Sequence, residues 1–143
     1  MKIVQVLFLV WLPSIGFAQD TIRYNGIIAD KLLYESIELY PDKTFKWTSE
    51  YDLSFSSYGK YHIDDNRLQL NHYIDWTKPE TMTLADSIAT IDKPIKSEIF
   101  IMNGEKMYRT DDRGKKIKRI RDRSLKTPWS WLFGHKYVLL KED

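Results

Sequence analysis

The chain has 143 residues, with 22 Lys plus Arg against 20 Asp plus Glu, for a formal charge of +2. A hydrophobic content of 43% and an aromatic content of 14% exclude intrinsic disorder, and the near-neutral total excludes a uniformly basic nucleic-acid binder. There is no cysteine, which removes disulfides, thiolate catalysis, cysteine metal sites and the lipid attachment of a lipoprotein together.

Residues 1–18 read as a secretory signal. Lys2 precedes an apolar run from Ile3 to Leu12 that only Gln5 interrupts; Pro13 ends it, and Gly16 and Ala18 offer small side chains to a signal peptidase. The run is shorter than the roughly 20 apolar residues that a membrane-spanning helix needs. Cleavage after Ala18 leaves residues 19–143 as a single domain without a transmembrane span. The expected location is periplasmic or secreted, as a soluble protein that is not a lipoprotein. Nucleic acid is not an expected partner there.

Three segments then alternate with period two around turns. In the first, Ser36 to Tyr40 and Thr44 to Thr48 flank Pro41-Asp42-Lys43. Pairing Leu39 with Phe45 and Ile37 with Trp47 puts four apolar side chains on one face. The same register sets Glu38 opposite Lys46 and Ser36 opposite Thr48 on the other. In the second, Gly59 to Ile63 pairs with Leu68 to Asn71, with Ile63 opposite Leu68 and Tyr61 opposite Leu70. A one-residue slip would bury Lys60 and His62 unpaired. Between the second and third, Thr81 to Leu84 reads as a short strand, with no sustained helical period from Gln19 to Thr110. In the third, Ser97 to Met102 and Glu105 to Thr110 flank Asn103-Gly104, a strong hairpin dipeptide. A two-residue loop there sets Glu98 opposite Arg109 and Ile99 opposite Tyr108. Ile99, Ile101 and Tyr108 share one face; Phe100 and Met107 share the other. Tyr137 to Leu140 reads as a final strand, with Lys141-Glu142-Asp143 as a frayed end. Regularly spaced short strands predict an all-β antiparallel meander barrel.

Glu38 to Phe45, Gly59 to Ile63 and Leu68 to Leu70 together resemble the small lipocalin-like barrels of exported bacterial proteins. Those show a Pro-Asp-Gly-Thr-Phe turn, a Gly-x-Trp-x-Ile strand and a Leu-x-Leu strand. Here Lys43 replaces the turn glycine, so either it takes an uncommon backbone angle or the turn differs, and Tyr61 replaces the tryptophan. The resemblance spans residues 34–71. It implies a meander barrel and no catalytic residues.

Catalytic and metal chemistry find little support. His62 and His72 fall on opposite faces of the second hairpin, and His135 is distant, so no metal site is expected. His72 lies on the apolar face opposite Gly59. Asp64-Asp65-Asn66 lacks the glycine and closing glutamate of a calcium loop. Ser54, Ser56 and Ser57 read as a polar-aromatic loop without a nucleophile elbow, and Ser130 has no base near it in sequence. No phosphate loop or dinucleotide fingerprint occurs. The chain is therefore expected to be a non-enzyme without cofactors. Its expected role is to bind a small apolar or amphipathic ligand inside the barrel, against Phe45, Trp47, Tyr61 and His72.

Charge is distributed unevenly. Residues 105–126 hold ten basic and four acidic residues, a net of +6, so the rest of the exported chain is net acidic. Lys115, Lys116, Lys118, Arg119, Arg121 and Arg123 run up to Trp129 and Trp131. Basic and aromatic residues in this order suit an anionic envelope surface or a protein partner. Pro128 is placed to open a short helical turn there. Envelope interaction through residues 115–133 is thus the second expected role.

Overall fold

The computed structural model describes residues 20–28, 33–50, 54–75, 83–120 and 134–143. Eight strands close a barrel: β1 (Ile22–Ile28), β2 (Leu33–Leu39), β3 (Thr44–Glu50), β4 (Ser54–Asp64), β5 (Arg67–Asp75), β6 (Lys96–Asn103), β7 (Lys106–Arg109) and β10 (Leu139–Lys141). Each pairs antiparallel with the next along this series, and β10 returns to pair with β1. The architecture is the expected all-β meander barrel, lipocalin-like in plan. Two-residue strands β8 (Arg119–Ile120) and β9 (His135–Lys136) form a separate ribbon. Among the described residues, no helix is long and apolar enough to cross a membrane.

The first two hairpins have the expected registers. Ile37 faces Trp47 and Leu39 faces Phe45; Tyr61 faces Leu70 and Ile63 faces Leu68. Lys43 takes the positive φ its place in the turn demands, 67°. Asp42 steadies that turn by accepting from the Thr44 amide at 3.0 Å and hydroxyl at 2.6 Å.

Other local expectations are corrected. The third hairpin is offset by two residues: Ile101 faces Tyr108 and Phe100 faces Arg109. Its loop is Gly104-Glu105, with Gly104 at φ 61° in the first loop position, where a type II′ turn needs glycine. A two-residue offset preserves facing, so Phe100 and Met107 still point inward and both are fully buried. Helix α1 (Leu84–Ala89) occupies the end of the stretch read as a strand. Thr83 caps it, its hydroxyl accepting from the Asp86 amide at 3.1 Å. Leu84 and Ile88, one turn apart, are the apolar residues it buries. Ser54 to Ser57 begin β4 rather than forming a loop. The C-terminus is stitched in: the Lys141 amide donates to the Glu105 carbonyl at 2.7 Å and the Glu142 amide to the Arg23 carbonyl at 2.9 Å. The helical turn expected at Pro128 lies outside the described residues.

The two ends of the barrel differ. At one end the connections are tight turns: Pro41-Asp42-Lys43, Asp65-Asn66 and Gly104-Glu105. From the other end leave 29–32 and 51–53 and the two long connections, 76–95 and 110–138. Toward the tight-turn end the interior is apolar. Leu39, Phe45, Leu68, Phe100 and Met107 are each at most 2% exposed and belong to one core. Gly59 allows this density near the middle. A Cβ there would lie 1.9 Å from the Asn71 carbonyl oxygen and 2.7 Å from the Phe45 ring. Beside Gly59 the β4–β5 ladder shifts register, leaving Tyr73 as the extra residue of a bulge.

Candidate functional site

The inward alternation that carries apolar side chains at the tight-turn end carries polar ones at the other. On β2, Glu35 follows the facing of Ile37 and Leu39. Ser57 on β4, His72 on β5 and Glu98 on β6 do the same for their strands. Arg109 closes β7, and Tyr137 precedes β10. These six side chains come from six parts of the barrel wall and meet inside its long-loop end.

They form a continuous chain of contacts. Ser57 Oγ lies 2.7 Å from His72 Nδ1. His72 Nε2 lies 3.0 Å from Glu98 Oε2, close but without the alignment of a good hydrogen bond. Glu98 Oε1 is 3.6 Å from Arg109 Nη2, and the same nitrogen is 3.5 Å from Glu35 Oε1. The Tyr137 hydroxyl donates to Glu35 Oε2 at 2.6 Å. Ser57, His72 and Tyr137 are wholly buried, and Glu35 is nearly so. Charges removed from water are costly unless they are paired, and here the pairing runs from strand to strand.

The electrostatics follow from that pairing. Burial alone pushes the Glu98 carboxyl up. The hydrogen-bonding and charge of His72 and the charges of Arg109 and Lys96 overcome this and hold it at about 2. Glu98 is therefore ionised throughout the ordinary pH range. Burial pulls Arg109 down, but Tyr137, Glu35 and Glu98 more than reverse it, so the guanidinium stays charged. Burial first, then Glu35, pushes the Tyr137 phenol far up, so it acts only as a neutral donor and acceptor. Arg109 also sits between two rings, 5.6 Å from the Phe100 centroid and 5.5 Å from that of Tyr137.

The network is not saturated. Among the described residues, Trp47 Nε1, His72 Nε2, Glu98 Oε2 and Arg109 Nε are shut away without an aligned hydrogen bond. Of these four residues, Glu98 and Arg109 line an open cleft of about 410 Å³ together with Lys96, Thr110, Asp111 and Asp112; Trp47 and His72 do not line it. Ser57, His72 and Glu98 are the residue types of a hydrolytic triad. The Ser57 hydroxyl, however, is fully buried in a strand paired on both sides, at Trp47 and at Asp75.

The four residues expected to line a ligand all point into the barrel and are at most 8% exposed. They divide between its ends. Tyr61 is near the tight turns, its hydroxyl donating to the Tyr40 carbonyl at 2.9 Å. His72 belongs to the polar chain. Phe45 meets it edge-on at 5.0 Å between centroids, and Trp47 does so at 6.1 Å. Glu35, Ser57, Glu98, Arg109 and Tyr137 were not legible as members of one site. Only Glu98 and Arg109 are neighbours in the predicted hairpin.

Of the basic stretch, Lys115, Lys118 and Arg119 are exposed, and Lys116 is half-buried with Nζ 5.2 Å from the Tyr108 centroid. The segment folds back on β7, the Ile117 amide donating to the Arg109 carbonyl at 2.8 Å. Arg121, Arg123, Trp129 and Trp131 lie outside the described residues. Among the described residues, no three His, Asp or Glu side chains are grouped to hold a metal ion. No family model matches this chain, and no curated protein matches it at a significant level.

Proposed function

We propose that this chain is an exported, non-catalytic binding barrel that takes a small amphipathic molecule at its long-loop end. One observation carries the reading. Arg109 Nε in the buried polar chain and Trp47 Nε1 beside it lack an aligned hydrogen bond, and Glu98 and Arg109 of that chain line an open cleft. A barrel closed for stability alone gains nothing from such atoms, because each unfilled one costs about 1–3 kcal/mol. A ligand with a polar head at Glu98 and Arg109, and an apolar part against neighbouring rings, would use them. The burial of Ser57 Oγ supports binding over hydrolysis. The export signal read in residues 1–18 supports a periplasmic or secreted location.

Native mass spectrometry of the chain from its own compartment, before and after solvent extraction, tests this. The expected result is a reproducible added mass that extraction removes. Only the bare protein mass, at good signal, overturns it.

A second reading, contact with an anionic envelope surface, is favoured by one arrangement. Arg119 stands directly opposite Lys136 in the β8–β9 ribbon, and Lys118 is exposed beside them. Binding to anionic vesicles that weakens steeply with salt, and is lost when Lys115, Lys116, Lys118 and Arg119 become Glu, is the expected signature. Salt-insensitive binding would sink it.

A further inference from the structure

Lys96 stands apart from the other charges of the site. It begins β6 on the inward side, at the rim of the long-loop end, opposite His72 in the β5–β6 ladder. Its ammonium lies 4.9 Å from the ring centroid of Trp47 and 3.7 Å from Glu98 Oε2. An aromatic face and a carboxylate on either side of an ammonium are the parts of a cation-recognition site. Here the protein's own side chain occupies it.

The occupant is loosely held. The Lys96 side chain is 42% exposed, whereas Trp47 beneath it is 8% exposed and Glu98 beside it 20%. Its contact with Glu98 Oε2, at 3.7 Å, is too long for a hydrogen bond, whereas His72 Nε2 lies 3.0 Å from the same oxygen. A lysine stem has four rotatable bonds and regains about 2 kcal/mol of rotamer entropy when it swings into water. Arg109, the other cation of the site, is clamped between two rings and two carboxylates and has no such freedom. The cleft around Lys96 is otherwise acid-rich. Glu98, Asp111 and Asp112 line it, and Arg109 is shared with Glu35.

We infer that the Trp47–Glu98 seat under Lys96 receives the ammonium head of a small organic cation, and that Lys96 is a displaceable plug which the ligand replaces. This rests on the ligand-binding reading above and names the ligand class. Displacement conserves charge: one ammonium leaves the seat as another enters, and the Glu98 carboxylate never lacks a counter-ion. The Trp47 face favours an alkylammonium over an inorganic cation, because the ring is attracted to a weakly hydrated, diffuse charge.

Calorimetric titration with hexyltrimethylammonium, and with hexanoate as its anionic counterpart, tests the inference on the exported chain and on Lys96→Met. Lys96 is a rim side chain, so the variant is expected to keep its Tm. The expected result is weak binding of the ammonium by the parent and about tenfold tighter binding by Lys96→Met, with no hexanoate bound by either. Saturating ammonium is also expected to speed acylation of Lys96 in the parent. Unchanged affinity in Lys96→Met, or unchanged Lys96 acylation at saturation, overturns the plug. Binding of hexanoate in place of the ammonium overturns the ligand class while leaving a ligand-binding barrel. The bare mass in the native measurement removes that broader reading.

Discussion

The two ends of this barrel are built from the same strands by the same alternation, yet they do different things. At the tight-turn end, Leu39, Phe45, Leu68, Phe100 and Met107 fill the interior and short turns close it. At the other, Glu35, Ser57, His72, Glu98, Arg109 and Tyr137 hold one another by bonds that cross the barrel. The first end gains free energy by excluding water from carbon. The second spends part of that gain on pre-positioned charge. In a meander barrel the chain need not change fold to acquire a site. It needs polar residues at inward positions on one side of a strand's midpoint.

That contrast can be broken from the apolar side first. Phe100→Ala removes a fully buried ring and should destabilise by about 3–5 kcal/mol in urea melts. A loss below about 1 kcal/mol would mean that the tight-turn end is not the stabilising half. On the polar side, Glu98 has a folded value of about 2 against an ordinary 4.5. Its ionised form is thus favoured by the fold. The stability it contributes, on the order of 3 kcal/mol, is fully present above pH 4.5 and is lost as pH falls toward 2. Melts of the parent should fall across that window, and melts of Glu98→Gln should be flatter. An equally steep acid limb in the variant would show that other carboxylates carry it. Tyr137→Phe leaves Glu35 short of its 2.6 Å donor and should cost about 1–3 kcal/mol by thermal melt. Smallest is Lys43→Gly at the tight-turn end. Relief of the positive φ should stabilise by up to about 1 kcal/mol, less what the 5.4 Å contact of Lys43 with the Tyr61 ring contributes. A clear destabilisation would show that the ring contact outweighs the backbone.

Legibility in the sequence divides along the same line. Both registers at Pro41 and Asp65 followed from local pattern, because each satisfied an apolar and a polar face at once. The hairpin at Gly104 came out two residues off. Asn103-Gly104 read as the loop, whereas Gly104-Glu105 is, and a two-residue shift keeps every side chain on its own face, so burial carried no penalty to settle the pairing. Thr83 and Asp86 form a capping pair that signals α1, but its single turn and a half is too short for a periodic pattern. The polar site was the least legible. Glu35 and Tyr137 meet across a separation of 102 residues, and Ser57 meets His72 only after the bulge at Tyr73 sets the end of β5. Neither meeting leaves a mark in local spacing. His72 alone was singled out beforehand, through its place opposite Gly59.

The order in which the strands join has a consequence for assembly. Among the described strands, β10 is the link between β1 and β7, and it is only Leu139–Lys141. The first strand of the barrel must wait for nearly the whole chain before its second neighbour arrives. Pairings between such distant segments slow folding. Until they form, Ile22–Ile28 and Lys106–Arg109 are open templates for another chain. A chain ending at Tyr137 should therefore self-associate, and sedimentation would read this directly: a monomer would mean that β1 and β7 close the gap without it. The three residues of β10 thus separate a closed barrel from a pair of sticky edges.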